Sequence, residues 1–429
     1  MSAPIIPTEL IAPVYNPATF GLKGNRELIH DIFTQLRRDT PLGVAEVPGY
    51  DPHWIVTKYD DVREITRQDN LFHSADRSKT LASQIAEKMM RDYSGMPTVF
   101  KTLVHMDEPE HMDHRAVTQP LFYPQNIAKL EESVRNTARK YVDKMIAMGP
   151  ELDFATEIAF QYPCEVICNL LGVPQEDHGL MLDLTHWLFT YADPDLCRPG
   201  ADLTKPEEII KTWEVVYAKF RDYYLPMVEA RRQNPTSDIT SVIANGQVNG
   251  QPMNERNLLS YLIIASTAGH DTTANTTGTG MWVLAEQPEL LKQLQDNPKL
   301  IPGFVEETIR WASPVQHFIR SAVEDYELRG QKIKKGDLIY VSYLSANRDE
   351  DIFKDPFTFD PTRAPNRHIG FGYGNHNCIG QHLARMEMRV FWEELIPKLA
   401  SVEFTGEPKM AESEFVCGPK YVPIRFALK

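Results

Sequence analysis

One cysteine stands in a setting that suits a metal-binding thiolate. The segment 367–380, RHIGFGYGNHNCIG, runs directly into a stretch of helical periodicity. Because the apolar residues after Cys378 keep one helical face, we predict that Cys378 is the last loop position before a helix. Free backbone N–H groups and the macrodipole at a helix N-terminus favour an anion and lower the pKa of a thiol. These features predict a reactive or metal-ligating sulfur.

The loop around this cysteine contains glycines that let its backbone lie close to a bound ligand. Gly372, Gly374 and Gly380 allow turn conformations and let the backbone lie against a flat cofactor, and Phe371 can cover one side of the sulfur. A buried cysteine in an ordinary glycine turn is the alternative. It is preferred only if no other part of the chain agrees with a cofactor site.

A second segment combines small, hydroxylated and acidic residues within one predicted helix. Residues 257–286, NLLSYLIIASTAGHDTTANTTGTGMWVLAE, begin apolar and then become rich in threonine and glycine. Gly269 costs about 1 kcal/mol relative to alanine in a helix, and threonine hydroxyls compete for backbone carbonyls. We therefore predict a locally widened helix that can hold dioxygen and water. Close packing against another helix through small residues is the open alternative.

Two shorter patterns place charged groups one turn apart. In EETIRW, Glu307 and Arg310 share a helix face, which ordinarily means a weak surface ion pair. In HMDEPEHMDHR, His111 and Arg115 are one turn apart, and a zinc site is conceivable there. The other histidines of this segment, at 105 and 114, have the wrong phase to complete such a site.

The cysteine segment resembles the cysteine-ligand loop of the cytochrome P450 family. That pattern is Phe, two residues, Gly, one residue, a basic residue, one residue, Cys, one residue, Gly. It is filled here by Phe371, Gly374, His376, Cys378 and Gly380, with histidine in place of the commoner arginine. The resemblance runs over essentially the whole chain. Phrases such as STAGHDTT and PNRHIGFGYGNHNCIGQHLA are most similar to a soluble bacterial member that hydroxylates the monoterpene alcohol terpineol.

The resemblance implies a haem b cofactor and a monooxygenase. Cys378 would be the axial iron ligand, and AGHDTT would place Asp271 and Thr272 as the acid and alcohol that relay protons during oxygen activation. The resemblance also implies a buried network of Glu307, Arg310 and Arg363 on the haem's proximal side. The haem propionates would be bound by His111, Arg115, Arg320 and His376, with further haem contacts from Ala268, Phe371, Gly372 and Gly380.

The resemblance further implies a small hydrophobic substrate, either a monoterpenoid or an alkyl or aromatic hydrocarbon. The predicted lining residues are Leu103, Val104, Ile264, Thr267, Phe318 and Val416. Each of them can instead be ordinary core. The loop 77–104 should decide the substrate, and its charged residues are interpreted as solvated: Arg77, Lys79, Glu87, Lys88, Arg91 and Asp92.

Dioxygen and a separate iron–sulfur ferredoxin are the expected partners. Arg385 and Arg389 are candidates for the ferredoxin landing patch, unless they pair with Glu387 or Glu393. Two other functions of the same fold stay open: a peroxide-driven peroxygenase and a non-catalytic haem-thiolate sensor. The pair Asp271 and Thr272 argues against both, because neither needs a proton relay.

Composition excludes several other classes of protein. The chain has 429 residues, is 42% hydrophobic and carries a formal net charge of -14, which disfavours nucleic acid or an anionic membrane as partner. No apolar run approaches the roughly 20 residues of a membrane span, and the start lacks a signal-peptide pattern, so we expect a cytoplasmic protein. Five scattered cysteines predict no disulfide framework, and Cys164 and Cys168 are predicted to be core residues.

The elements that must position these residues are mostly helices. We predict a mainly α fold with a minor β region, the cytochrome P450 fold, in a single domain spanning 1–429 and acting as a monomer. Residues 126–149 have one apolar helical face. Strands are predicted at 53–59, 326–343 and 420–428, and the middle one is interpreted as a hairpin that turns at Lys335 and Gly336.

Overall fold

The computed structural model describes residues 3–21 and 23–429. Within these ranges the chain forms seventeen α-helices: α1 (Thr8–Ile11), α2 (Lys23–Asp39), α3 (Tyr59–Thr66), α4 (Gln84–Ser94), α5 (Glu110–Arg115), α6 (Pro124–Ile127), α7 (Glu131–Met148), α8 (Gln161–Leu171), α9 (His178–Phe189), α10 (Glu207–Gln233), α11 (Ile239–Asn245), α12 (Glu255–Ala268), α13 (Asp271–Glu286), α14 (Pro288–Asp296), α15 (Ile301–Ala312), α16 (Tyr343–Ala346) and α17 (Gln381–Leu395). A π-helical turn, Ala155–Ala159, precedes α8, and short 3₁₀ turns include Leu103–His105.

The strands are shorter: β1 (Ile5–Ile6), β2 (Leu42–Ala45), β3 (His53–Val56), β4 (Phe72–His73), β5 (Glu151–Asp153), β6 (Gln247–Val248), β7 (Gln251–Pro252), β8 (His317–Ala322), β9 (Tyr326–Leu328), β10 (Gln331–Ile333), β11 (Leu338–Ser342), β12 (Leu399–Phe404), β13 (Lys409–Met410), β14 (Pro419–Tyr421) and β15 (Pro423–Leu428). The largest sheet has the order β1-β2-β3-β11-β8-β4, and the next is β12-β15-β5. The predicted mainly α fold with a minor β region is confirmed.

The predicted helical face at 126–149 packs as expected. Val134, Ala138, Tyr141 and Met145 of α7 are all buried, in a core shared with α8, α13, α15 and α17. A second core cluster joins α8, α9, α10 and α12. The central helices α12 and α13 therefore lie between the two hydrophobic core clusters, which hold them in place.

The hairpin predicted at Lys335 and Gly336 is wrong. The chain reverses earlier, at Arg329 and Gly330, whose φ angles are +51° and +70°, as a two-residue hairpin turn between β9 and β10 requires. β11 instead pairs with β8 and, in parallel, with β3. The partners of β11 are not the strands next to it in the sequence, so the local sequence pattern could not predict them.

Within residues 3–21 and 23–429, no helix is both long and apolar enough to cross a membrane.

Candidate active site

The central helix is interrupted where the sequence predicted a widening. α12 ends at Ala268 and α13 begins at Asp271, leaving Gly269 and His270 between them. A Cβ on Gly269 would lie 2.6 Å from Cγ1 of Ile167 in α8. Further along, a Cβ on Gly280 would lie 2.6 Å from the Trp392 ring in α17. The alternative of close packing through small residues therefore also holds, where α12 and α13 meet α8 and α17.

Another face of these helices is open. Ala268 is exposed, and Ile264 and Thr272, four residues to either side, are half-buried, although the remainder of α12 and α13 is almost entirely buried. Residues at this spacing form one stripe. An exposed alanine at the junction of two buried helices means that open space borders the stripe.

An acid and an alcohol lie at one end of this stripe. Asp271 is 3% exposed, and its Oδ2 accepts a hydrogen bond from Asn275 Nδ2 at 3.1 Å. Burial raises the pKa of Asp271 to about 7, and the Asn275 hydrogen bond acts in the opposite direction. A carboxyl group with this pKa can both hold and release a proton near neutral pH.

The cysteine loop requires glycine at two positions. Gly372 and Gly374 have φ angles of +74° and +79°, which favour glycine. A Cβ on Gly374 would lie 2.3 Å from the carbonyl oxygen of Thr66. The backbone N–H of Cys378 donates to the carbonyl oxygen of Phe371 at 2.9 Å, which closes the loop.

Cys378 is not the last loop position, contrary to the prediction. α17 begins at Gln381, so Ile379 and Gly380 separate the cysteine from the helix. The field of a helix terminus falls off within about one turn, and the extra distance weakens its effect on the sulfur.

The thiol's electrostatic surroundings also differ from the prediction. Burial raises the pKa of the Cys378 thiol, while the Gly380 backbone and the guanidinium groups of Arg115 and Arg385 act in the opposite direction. Burial prevails, so the protein by itself favours the neutral thiol. A bound metal ion reverses this balance, because a coordinating thiol is deprotonated outright.

The four basic residues predicted to bind an anion converge beside the cysteine loop. The rings of His111 and His376 lie 4.0 Å apart, centroid to centroid. Arg115 Nη2 donates to the carbonyl oxygen of Asn377 at 2.9 Å. Arg320 is 1% exposed, and its Nε has no hydrogen-bond partner among the described residues. Burial lowers the pKa of His111, Arg115, Arg320 and His376 because it penalises their charged forms, and an anion bound among them would offset that penalty.

The predicted ion network is assembled, and its Glu307–Arg310 pair is fully buried while Arg363 is half-buried. Glu307 and Arg310 are both 0% exposed and form two hydrogen bonds, at 2.6 and 2.8 Å. Arg363 Nε lies 3.2 Å from both Glu307 carboxylate oxygens. Arg310 also donates to the carbonyl oxygens of Asn347 and Pro356. The network therefore fastens α15 to the segment 356–366, which leads into the cysteine loop.

The six predicted substrate-lining residues are not all brought to one surface. Ile264 lies on the open stripe, and Val104 and Phe318 are half-buried. Leu103 and Val416 are buried, and Val416 pairs with Val315 in a β-bridge. Thr267 is 0% exposed and lies off the stripe, with its hydroxyl donating to the carbonyl oxygen of Ile263 at 2.9 Å.

Four of the charged residues in the loop 77–104 are not free in solvent, contrary to the interpretation from sequence. Arg77 forms ion pairs with Asp51 and Glu87, and Arg91 pairs with Glu87 at 2.9 Å. Lys79 is 2% exposed. The other two of the six residues interpreted as solvated, Lys88 and Asp92, pair with each other at the surface, as solvated groups can.

A large anionic cofactor with a thiolate-bound metal needs features that are all present here: a partly accessible thiol at Cys378, converging basic groups, and an open stripe beside an interrupted helix. Comparison with known proteins agrees. The family model described as Cytochrome P450 matches residues 17–424. Cytochrome P450-terp from Pseudomonas sp is 43% identical over 401 residues, covering 93% of this chain and 94% of the relative. Linalool 8-monooxygenase from Pseudomonas putida is 31% identical, covering 92% and 95%.

A solved structure shows the same architecture. The crystal structure of CYP108D1 from Novosphingobium aromaticivorans superposes with a TM-score of 0.90 at 37% identity, covering 99% of this chain and 100% of that one. The chain belongs to the cytochrome P450 family, and it is a monooxygenase that binds haem b.

The residues present fit this cofactor. Arg320 has an orphaned, buried Nε that a propionate oxygen can satisfy, and the exposed Ala268 leaves room for a flat ring. The Cys378 thiol is enclosed by protein yet partly accessible, as an iron ligand must be.

Proposed function

We propose that this enzyme hydroxylates an unactivated C–H bond of a small hydrophobic substrate, a monoterpenoid or an alkyl or aromatic hydrocarbon, with dioxygen and two electrons from an iron–sulfur ferredoxin. The observation that carries the proposal is the open stripe of α12 and α13, which is apolar at Ile264 and Ala268 and ends at Asp271 and Thr272. It offers an apolar surface for the substrate beside a proton donor. Two relatives are named Cytochrome P450-terp and Linalool 8-monooxygenase, and these names support a terpenoid substrate.

When bound, the haem would supply oxygen activation, and Cys378 would hold its iron as an electron-donating thiolate. In this proposal Asp271 takes protons from the outside and passes them to the Thr272 hydroxyl, since its pKa of about 7 suits both steps. Ile264 and Ala268 orient the substrate and exclude water. His111, Arg115, Arg320 and His376 bind the propionates by charge-assisted hydrogen bonds.

The proposal is tested by spectral titration and turnover. Monoterpenes, terpene alcohols and alkylbenzenes are added to the ferric enzyme, and the Soret band is followed for loss of the water ligand. Turnover is then measured with ferredoxin, ferredoxin reductase and NADH, and the products are identified by mass spectrometry. Hydroxylated product from at least one terpenoid or alkylbenzene is expected. Product formed with peroxide alone, at a rate equal to the ferredoxin-driven one, would favour the peroxygenase instead.

Within this substrate class we propose a hydroxylated terpenoid, whose hydroxyl group binds in a second cavity that includes Leu81 of the loop 77–104. The cavity, about 380 Å³, is lined by residues that include Leu81, Tyr191, Trp213 and Glu414. Tyr191 Oη donates to Glu414 Oε1 at 2.9 Å, and Glu414 Oε2 has no hydrogen-bond partner within residues 3–21 and 23–429. Burial raises the pKa of Glu414, and its unpartnered Oε2 can hydrogen-bond a substrate hydroxyl.

Glu414→Leu is expected to raise the Kd of terpene alcohols roughly five- to tenfold while leaving the Kd of terpene hydrocarbons nearly unchanged, because one hydrogen bond to a buried acid is lost. Spectral titration with one alcohol and its parent hydrocarbon measures both constants. Glu412→Leu is the matched control, since Glu412 lines the same cavity but is half-buried. Equal weakening for both ligands would show that Glu414 only shapes the cavity.

The ferredoxin would dock over the cysteine loop. A surface depression there is lined by Phe371, Asn377 and the arginines Arg63, Arg367 and Arg385. Arg385 pairs with Glu306 at 2.7 Å, and Arg389 is held by Glu131 and Glu393, so the two arginines predicted from the sequence are both already paired. Arg367 is exposed and forms no ion pair with any described carboxylate, which leaves it available to an acidic protein.

Arg367→Glu is therefore expected to raise the KM for ferredoxin about tenfold at low salt, with kcat at saturating ferredoxin nearly unchanged, because the change places like charges at the docking surface. NADH oxidation at varied ferredoxin concentration measures this. Lys334→Glu, the same charge reversal outside the depression, should leave the KM unaltered. Indistinguishable KM values for the two variants would remove Arg367 from the docking surface.

A further inference from the structure

Lys79 is a buried ammonium group without a matching carboxylate. The residue is 2% exposed. Its Nζ donates to Ser74 Oγ at 2.7 Å and lies 3.4 Å from the carbonyl oxygen of Ile319, and it sits 5.0 Å from the centroid of the Phe318 ring. It forms no ion pair with any carboxylate in the described part of the chain. A buried charge is unfavourable unless it is paired, so an anion bound beside Lys79 would stabilise the ammonium group.

The two oxygens that Lys79 contacts also touch the predicted propionate ligands. Ser74 Oγ lies 3.5 Å from His376 Nε2, and the carbonyl oxygen of Ile319 accepts from Arg320 Nη1 at 3.2 Å. The ammonium is therefore one bridging atom away from both His376 and Arg320. Lys79 comes from the loop 77–104, whereas the other two come from the cysteine loop and β8.

Charged groups of both signs lie around this point, but the cations among them are not paired. Asp69 is a buried carboxyl that acts electrostatically on Arg320 and His111, and both its oxygens lack partners within the described residues. Glu108 is already bonded to His111 and Asn375. Against these stand Lys79, Arg115 and Arg320. Asp107 accepts from the backbone N–H groups of Ser74 and Ala75. None of the three cations forms an ion pair with a described carboxylate, so a ligand with carboxylate groups would pair with them.

We propose that Lys79 binds a haem propionate together with Arg320 and His376. This inference rests on the family's cofactor and is independent of the proposed substrate. It makes the loop 77–104 part of the cofactor site, so that haem binding fixes the start of the segment expected to choose the substrate. The carboxylate of an acidic substrate is the other source of the same chemistry, because Lys79 also contacts Phe318.

The test compares Lys79→Met, Lys79→Arg and the control Lys88→Met in the substrate-free ferric holoenzyme. Lys88 is an exposed lysine of α4 whose single ion-pair partner among the described residues is Asp92. Two properties are measured: the rate of haem transfer to excess apomyoglobin, and the propionate bending band in the resonance Raman spectrum. Lys79→Met is expected to lose haem about tenfold faster and to shift the band, because a charge-assisted hydrogen bond is removed. Lys79→Arg should stay within about threefold of the wild type, and Lys88→Met should be unchanged.

Two outcomes would overturn the proposal. Faster haem loss with an unshifted propionate band would mean that Lys79 only packs the loop. An unchanged rate of haem loss, combined with weaker binding of a monoterpene carboxylic acid, would make Lys79 a substrate ligand. If Lys79→Met does not accumulate as holoprotein, Ser74→Ala removes the bridging hydroxyl and leaves the lysine in place. It should then shift the same band and speed haem loss, and an unshifted band in this variant would count against the proposal.

Discussion

Cys378→Ser is expected to abolish ferredoxin-driven hydroxylation and to remove the red-shifted Soret band of the reduced carbon-monoxide complex. Serine keeps the shape of the side chain but lacks the soft, electron-donating thiolate that favours O–O cleavage. Haem can still bind, because the basic cluster of His111, Arg115 and Arg320 is untouched. The variant should therefore retain haem by absorbance while its carbon-monoxide spectrum changes.

The matched control is Cys197→Ser, which alters a half-buried cysteine outside the cysteine loop. Its carbon-monoxide spectrum and turnover should equal those of the wild type. A thiolate-type band that survives in Cys378→Ser, or disappears in Cys197→Ser, would show that the iron ligand has been wrongly assigned.

Asp271→Asn is expected to lower kcat by about 10²- to 10³-fold, the usual contribution of a positioned acid–base group, while substrate binding and the carbon-monoxide spectrum stay normal. The amide keeps the contact with Asn275 but cannot pass on a proton. Turnover at saturating substrate and ferredoxin measures the loss. Thr272→Val should also impair hydroxylation, whereas Thr276→Val, which removes a buried hydroxyl bonded to the Thr272 carbonyl one turn further along α13, should not.

The same substitution has a stability signature that depends on pH. The pKa of Asp271 is raised from 3.8 to about 7 in the folded protein, so folding binds a proton between these values. Wild-type stability contributed by this group is fully present below about pH 4 and is lost as pH rises toward about 7. The amide that replaces the carboxyl group does not titrate. Thermal unfolding should therefore show Asp271→Asn gaining stability relative to the wild type between about pH 4 and pH 7, and a constant difference would contradict the raised pKa.

Much of the site could be predicted from the sequence because its parts are local. The spacing of Glu307 and Arg310 puts both on one turn, and the glycines of 367–380 specify a loop that only small residues can form. The interruption at Gly269 likewise follows from the poor helix propensity of neighbouring residues. In each case the partners are within a few residues, so backbone geometry alone brings them together.

Strand pairing, ion pairs and burial depend on residues far apart in the chain, and only the tertiary structure decided them. β11 pairs with β3, so its hairpin could not be located from the local pattern. Arg385 is held by Glu306, and Lys79 is buried beside Ile319. Burial is a property of the assembled core, and it reversed two expectations: the pKa of the Cys378 thiol is raised, and Lys79 is shielded from solvent. The sequence by itself predicted the residues proposed for the haem-thiolate centre, because their motifs are local, while long-range packing determined the charges around them and buried Lys79 beside Ile319.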